Sequence, residues 1–222
     1  MKMDILYEDG QLLVCRKPAG IPVQSARVGT QDMVSLLKNY RMEREKDSYI
    51  GLVHRLDQPV QGVMVFAKTK QAAAKLSGQA ADGRMKKEYL AVICGKPAAK
   101  EGQLVDYLLK DGRTNTSSIV KEGVKGAKRA ELSYQILAEA EGYALARIRL
   151  LTGRHHQIRV QMAGAGLPLA GDRKYNPGAG AEAAPFVALA AHRLSFIHPG
   201  TGKPMEFLAE PEGGLFAAFK NF

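Results

Sequence analysis

His54-Arg55-Leu56-Asp57-Gln58-Pro59-Val60-Gln61-Gly62-Val63-Met64-Val65-Phe66-Ala67 is the stretch from which the rest of this chain can be read. Residues 63–67 form a short apolar run of the kind that builds a buried strand, and Pro59 and Gly62 punctuate the approach to it. Asp57 thus sits at a loop–strand junction, where functional groups concentrate because a rigid element holds a loop in place. On position alone, capping or ion pairing is the commoner use of such a carboxylate. Far downstream, Thr152-Gly153-Arg154-His155-His156-Gln157-Ile158-Arg159 supplies a cluster of cations and imidazoles. If Arg154 approaches Asp57, the pair keeps the carboxylate ionised and aimed, as a nucleophile or base requires.

Around this stretch the pattern is strand-rich. Residues 11–16 read as a first strand, stopped by Lys17-Pro18-Ala19-Gly20, where proline fixes φ and glycine permits a positive one. Thr30 is the expected N-cap of a helix with Asp32 in its first turn, and Met33, Leu36, Leu37 and Tyr40 follow at helical spacing. A second helix is expected from about Thr69 to a stop at Gly83. Residues 88–93 read as a strand. Residues 132–136 and 144–150 alternate with period two around Glu141-Gly142, which predicts an antiparallel hairpin with Arg147 and Arg149 on one face. Runs at 187–190 and 205–208 complete an α+β plan rather than a regular βαβ alternation. Residues 110–129 carry six cations (Lys110, Arg113, Lys121, Lys125, Lys128, Arg129) against two anions (Asp111, Glu122). This stretch reads as a loop, either a mobile phosphate-contacting arm or a solvated hairpin tip. Residues 176–181 read as a flexible loop.

The 222 residues suffice for one large domain or two small lobes, and no repeat or proline-rich linker divides them. Lys and Arg number 32 against 22 Asp and Glu, a net charge of +10 that favours a polyanionic partner. Cys15 and Cys94 are too few and too far apart for a disulfide framework or zinc site, and both read as buried thiols. No run approaches the ~18 apolar residues that span a bilayer, and acids stand where a signal peptide would carry cations. These features point to a cytoplasmic protein that does not enter membranes. His155 and His156 do not make a metal site, since adjacent residues on a helix diverge and no carboxylate has ligand spacing to them.

Taken in order, the pieces resemble the RluA-type pseudouridine synthases from about Leu13 to Phe207. Residues 13–23 look like that family's opening strand and turn, and His54-Arg55-Leu56-Asp57 like its aspartate motif. Lys87-Glu88-Tyr89-Leu90-Ala91 looks like its tyrosine motif, and residues 151–159 like its arginine motif, followed by Pro168 and Gly171-Asp172-Arg173-Lys174-Tyr175. The chain departs from the family at Val60-Gln61, where Thr-Ser is usual, at His155, where threonine is common, and at Ala190-Ala191-His192-Arg193.

The resemblance implies an α+β pseudouridine synthase-like catalytic domain over residues 1–222, with a bent, mixed, mostly antiparallel sheet flanked by helices and loops. It implies no separate N-terminal RNA-binding domain. Asp57 would be the catalytic carboxylate, Arg154 its ion-pair partner, and Tyr89 the ring that stacks on the target uracil. Arg55 would fill the gap left by the flipped uridine, with His54 and Gln157 also meeting substrate. The implied activity is isomerisation of specific uridines in structured RNA, ribosomal or transfer, by a monomer that uses no cofactor or metal. The alternative is an RNA-binding or RNA-remodelling module of the same fold with little catalysis, for which Val60-Gln61 is the main support. A nucleoside glycosidase lacks its usual second carboxylate.

Overall fold

The computed structural model describes residues 3–27, 29–176 and 184–219. In chain order these form β1 (Asp4–Glu8), β2 (Leu12–Lys17), α1 (Met33–Glu45), β3 (Gly51–Leu52), β4 (Gln61–Ala67), α2 (Lys70–Ala81) and β5 (Lys86–Cys94). There follow β6 (Glu101–Asp111), β7 (Thr116–Val120), β8 (Lys128–Ala140), β9 (Tyr143–Leu150), α3 (Gln157–Gly164), β10 (Leu189–Ile197), β11 (Pro204–Leu208) and a 3-10 turn at Gly214–Phe219. The fold is α+β. By its contacts the chain divides into two compact units, residues 1–87 with 191–210, and residues 88–190 with 211–222.

In the first unit, strands pair in the order β1-β2-β4-β10, with β3 on β4 and β11 on β10. β2 and β4 are antiparallel, from Leu12 opposite Ala67 to Lys17 opposite Gly62. Their alternate residues Leu12, Val14, Val63 and Val65 meet Ala72 and Leu76 of α2 and Leu194 and Phe196 of β10 in one apolar cluster. Burying such side chains stabilises by about 1.5–3 kcal/mol each, enough to make this cluster the unit's main support. Thr69 caps α2, its hydroxyl accepting the Ala72 N–H at 3.1 Å. The cap of α1 is Asp32 and not Thr30. The Asp32 carboxylate accepts the N–H groups of Ser35 and Ser25, each at 2.7 Å, so the helix starts where two backbone donors find one buried acceptor. Gly62 is obligatory at the head of β4. Its φ is +125°, and a Cβ there would lie 2.2 Å from the Ala191 carbonyl oxygen.

In the second unit the order is β5-β9-β8-β6-β7. Glu141 and Gly142 both take positive φ, 50° and 81°, and close the two-residue turn between β8 and β9, as the alternating pattern predicts. Leu90, Val92, Leu145, Ala188, Phe216 and Phe219 share an apolar cluster.

Residues 110–129 are not a loop. β6 runs to Asp111, β7 occupies 116–120 and β8 begins at 128, so only two short connections remain. The late strand expected at 187–190 begins instead at Leu189 and continues through His192 and Arg193 to Ile197. Of the expected loop at 176–181, only Asn176 falls within the described residues. It is buried, its amide donating to the Leu169 carbonyl oxygen at 3.2 Å.

Candidate active site

The segment carrying Asp57 has no regular structure, and backbone bonds hold it in place. The Val60 N–H donates to the Asp57 carbonyl oxygen at 3.0 Å, closing a turn over Gln58 and Pro59. Gly20 and Gln58 exchange two bonds, Gly20 N–H to the Gln58 carbonyl at 2.9 Å and Gln58 Nε2 to the Gly20 carbonyl at 3.0 Å. Leu56 and Val60 are buried on either side, Asp57 is half-buried and Arg55 is exposed. A valine at position 60 therefore fills the core, and the turn keeps its backbone bond without a hydroxyl.

Two buried polar side chains brace this segment. His54 Nε2 accepts the Val65 N–H of β4 at 3.2 Å, so the ring is neutral with its proton on Nδ1. Burial, aided by the charge of Lys87, pushes the His54 pKa down to about 3. Lys17, fully buried at the end of β2, donates from Nζ to the carbonyl oxygens of Pro18 (2.9 Å), Ile21 (2.7 Å) and Gln58 (3.0 Å). Burial draws its pKa down to about 7, against the attraction of Asp57. In sequence, Lys17 reads only as part of a turn. The available signal was a cation closing an apolar strand whose partner strand leads out of the Asp57 turn.

In the second unit, Tyr89 lies buried on β5. Its neighbour Glu88 accepts Nε and Nη2 of Arg149 at 3.1 and 2.7 Å, so Arg149 is paired, while Arg147 is exposed. Arg154 lies in the connection between β9 and α3, exposed, with Nε donating to the Arg129 carbonyl oxygen at 2.9 Å. Gln157 is buried, and its amide shapes that connection. Its Oε1 accepts the Thr152 hydroxyl at 2.8 Å and the Arg154 N–H at 2.9 Å, and its Nε2 donates to the Glu131 carbonyl at 3.1 Å. His155 and His156 precede α3 rather than lie on it. His156 takes a left-handed φ of 53°, which lets the two rings stack at 3.8 Å where a helix would splay them. Among the described residues no group of three or more His, Cys, Asp or Glu is placed to hold a metal.

His54, Arg55 and Asp57 thus belong to the first unit, and Tyr89, Arg154 and Gln157 to the second. A family model described as RNA pseudouridylate synthase matches residues 11–164, a span that includes all six. The chain belongs to the RNA pseudouridylate synthase family. It is an RNA pseudouridine synthase, and so an isomerase.

The synthase is 35% identical to the ribosomal large subunit pseudouridine synthase D of Zymomonas mobilis, over 98% of this chain and 72% of that one. It is 33% identical to the ribosomal large subunit pseudouridine synthase C of Escherichia coli K12, over 95% of this chain and 67% of that one. It therefore spans roughly two thirds of the length of these relatives. Among solved structures, human RNA pseudouridylate synthase domain containing 4 superposes with a TM-score of 0.77 at 24% identity, covering 93% of this chain and 88% of that one. At that identity the likeness is one of fold.

Proposed function

We propose that this synthase converts uridines of ribosomal RNA to pseudouridine, with Asp57 as the catalytic carboxylate. The observation that carries the choice of RNA is the pair of relatives named for the ribosomal large subunit, which match nearly the whole chain. The reaction breaks the N1–C1′ bond, turns the uracil and joins C5 to C1′. C5 loses its hydrogen and N1 gains one, so nothing is added or removed overall and the atoms balance without a co-reactant. Asp57 can attack C1′, add to C6 or remove the C2′ proton, and each path needs a positioned carboxylate. The bonds that fix the Asp57 turn through His54, Lys17 and Gly20 support that role.

Arg154 is the cation that serves Asp57, on a connection shaped by Gln157. Tyr89 offers a ring for the flipped uracil, and base stacking of that kind offsets part of the few kcal/mol that unstacking costs. Exposed Arg55 is free to enter the gap in the RNA, and His54 and Gln157 support the groups that meet substrate. The enzyme works as a monomer in the cytoplasm. No helix among the described residues is long and apolar enough to cross a membrane. Tritium release from ribosomal and transfer RNA labelled at uridine C5 tests the choice of substrate: release from ribosomal RNA alone is expected, and release from transfer RNA alone would replace the reading.

A further inference from the structure

Two side chains and a lysine fasten the β6–β7 turn to the rest of the second unit. His155 Nδ1 lies 2.9 Å from Ser117 Oγ, and His155 Nε2 lies 3.0 Å from Asn115 Oδ1. Ser117 Oγ also donates to the His155 carbonyl oxygen at 3.0 Å. From the loop after α3, Lys174 Nζ donates to the Asn115 carbonyl at 2.7 Å, and the Tyr175 hydroxyl accepts the Ser117 N–H at 2.8 Å. That loop is itself pinned. Asp172 accepts the Lys174 N–H at 3.0 Å and the Arg159 fork at 2.7 Å on each oxygen. Asn115 holds a left-handed φ of 51° and Ser117 is buried, so the turn is bound closely to the segment that carries Arg154.

The hairpin so held is a cationic surface. Lys110, Arg113, Lys121, Lys125 and Lys128 are all exposed, and among the described residues none of these five is in an ion pair. The two anions of the same stretch take neutral partners. Asp111 accepts the Arg113 N–H at 2.8 Å and the Thr114 hydroxyl at 3.0 Å, and Glu122 accepts the Tyr107 hydroxyl. Exposed cations outside any ion pair suit a phosphate backbone.

We propose that His155 is a positioning residue for RNA. It clasps the β6–β7 turn to the Arg154 segment, so that Lys110 and Arg113 meet the RNA backbone as one preset surface. Imidazole is suited to the task because its two nitrogens lie on opposite sides of the ring and reach Asn115 and Ser117 together. A single hydroxyl at that position cannot span both. The proposal rests on the reading that this chain acts on RNA.

The test uses the full chain and a large-subunit ribosomal RNA transcript carrying C5-tritiated uridine. Releasing a clasped hairpin adds an ordering cost to binding, so His155→Ala and Ser117→Ala should each raise KM about three- to tenfold. Because neither residue touches the reacting atoms, kcat should stay within about twofold. The double variant should be no worse than the more impaired single one, since both break the same clasp. An unchanged KM in a folded His155→Ala chain, a fall confined to kcat, or additive effects would each overturn the proposal. If His155→Ala does not fold, His155→Gln and Ser117→Ala decide by the same criteria. If wild type releases no tritium, the catalytic reading fails separately. Equilibrium binding of the same transcript then decides the clasp: weaker binding by the variants supports it, and equal affinity rejects it.

Discussion

Lys17 Nζ donates to the Gln58 carbonyl oxygen at 3.0 Å, which ties the end of β2 to the residue after Asp57. With Pro18 and Ile21 as its other acceptors, the ammonium group spends its three protons inside the protein. Lys17→Met keeps the volume but strands buried carbonyls, and should lower stability by about 1–3 kcal/mol in denaturant unfolding. The folded pKa, about 7, lies below the unfolded value of 10.5. Between these values the unfolded chain binds the extra proton, so this lysine makes stability rise with pH across that window. Wild type should gain on Lys17→Met as pH climbs from 7 towards 10.

Acid acts through His54. Its folded pKa of about 3 lies below the ordinary imidazole value of 6.5, so the unfolded chain takes up the proton first as pH falls. The stabilisation from keeping this ring neutral is complete above the unfolded pKa and is lost between about pH 6.5 and 3. His54→Gln can still accept the Val65 N–H but cannot be protonated. Its midpoint for chemical denaturation should therefore fall less steeply than wild type's over that range.

At Gly62 the constraint is steric. A Cβ would meet the Ala191 carbonyl oxygen at 2.2 Å and its nitrogen at 2.5 Å, both backbone atoms of β10 that cannot swing away. Gly62→Ala should destabilise by more than about 3 kcal/mol, measured as a drop in unfolding midpoint or loss of soluble protein. Gly83→Ala offers the contrast. It also has a positive φ, 79°, but nothing lies near its Cβ position, so about 1 kcal/mol is expected.

Arg159 and Asp172 form a buried fork–fork pair with both N···O distances at 2.7 Å. Asp172→Leu strips both of these bonds from a buried guanidinium and should cost about 3–5 kcal/mol. Arg159→Met combined with Asp172→Leu should recover much of that loss, which thermal unfolding of the single and double variants would reveal.

Elements whose period and punctuation agree were legible in the sequence. The β8–β9 hairpin was readable because Glu141-Gly142 separates two alternating runs, and α2 because Thr69 and Gly83 bracket it. β7 was not, because Thr116–Val120 is five residues with little apolar character, and it is set by pairing with β6 rather than by its own pattern. β10 was misjudged because His192 and Arg193 interrupt an otherwise apolar strand whose register is fixed by β11. For the candidate site, Asp57, Tyr89 and Arg154 are proposed on motif resemblance. The brace of Lys17 on Gln58 and of Gln157 on the Arg154 connection depends on where distant backbone carbonyls fall, which spacing does not encode.

The central claim is that Asp57 performs the chemistry. Wild type and Asp57→Asn should be compared for tritium release from ribosomal RNA labelled at uridine C5, with RNA binding measured alongside. The account predicts release by wild type, a loss of at least about a hundredfold in Asp57→Asn, and unchanged binding. Release by Asp57→Asn at the wild-type rate would contradict it.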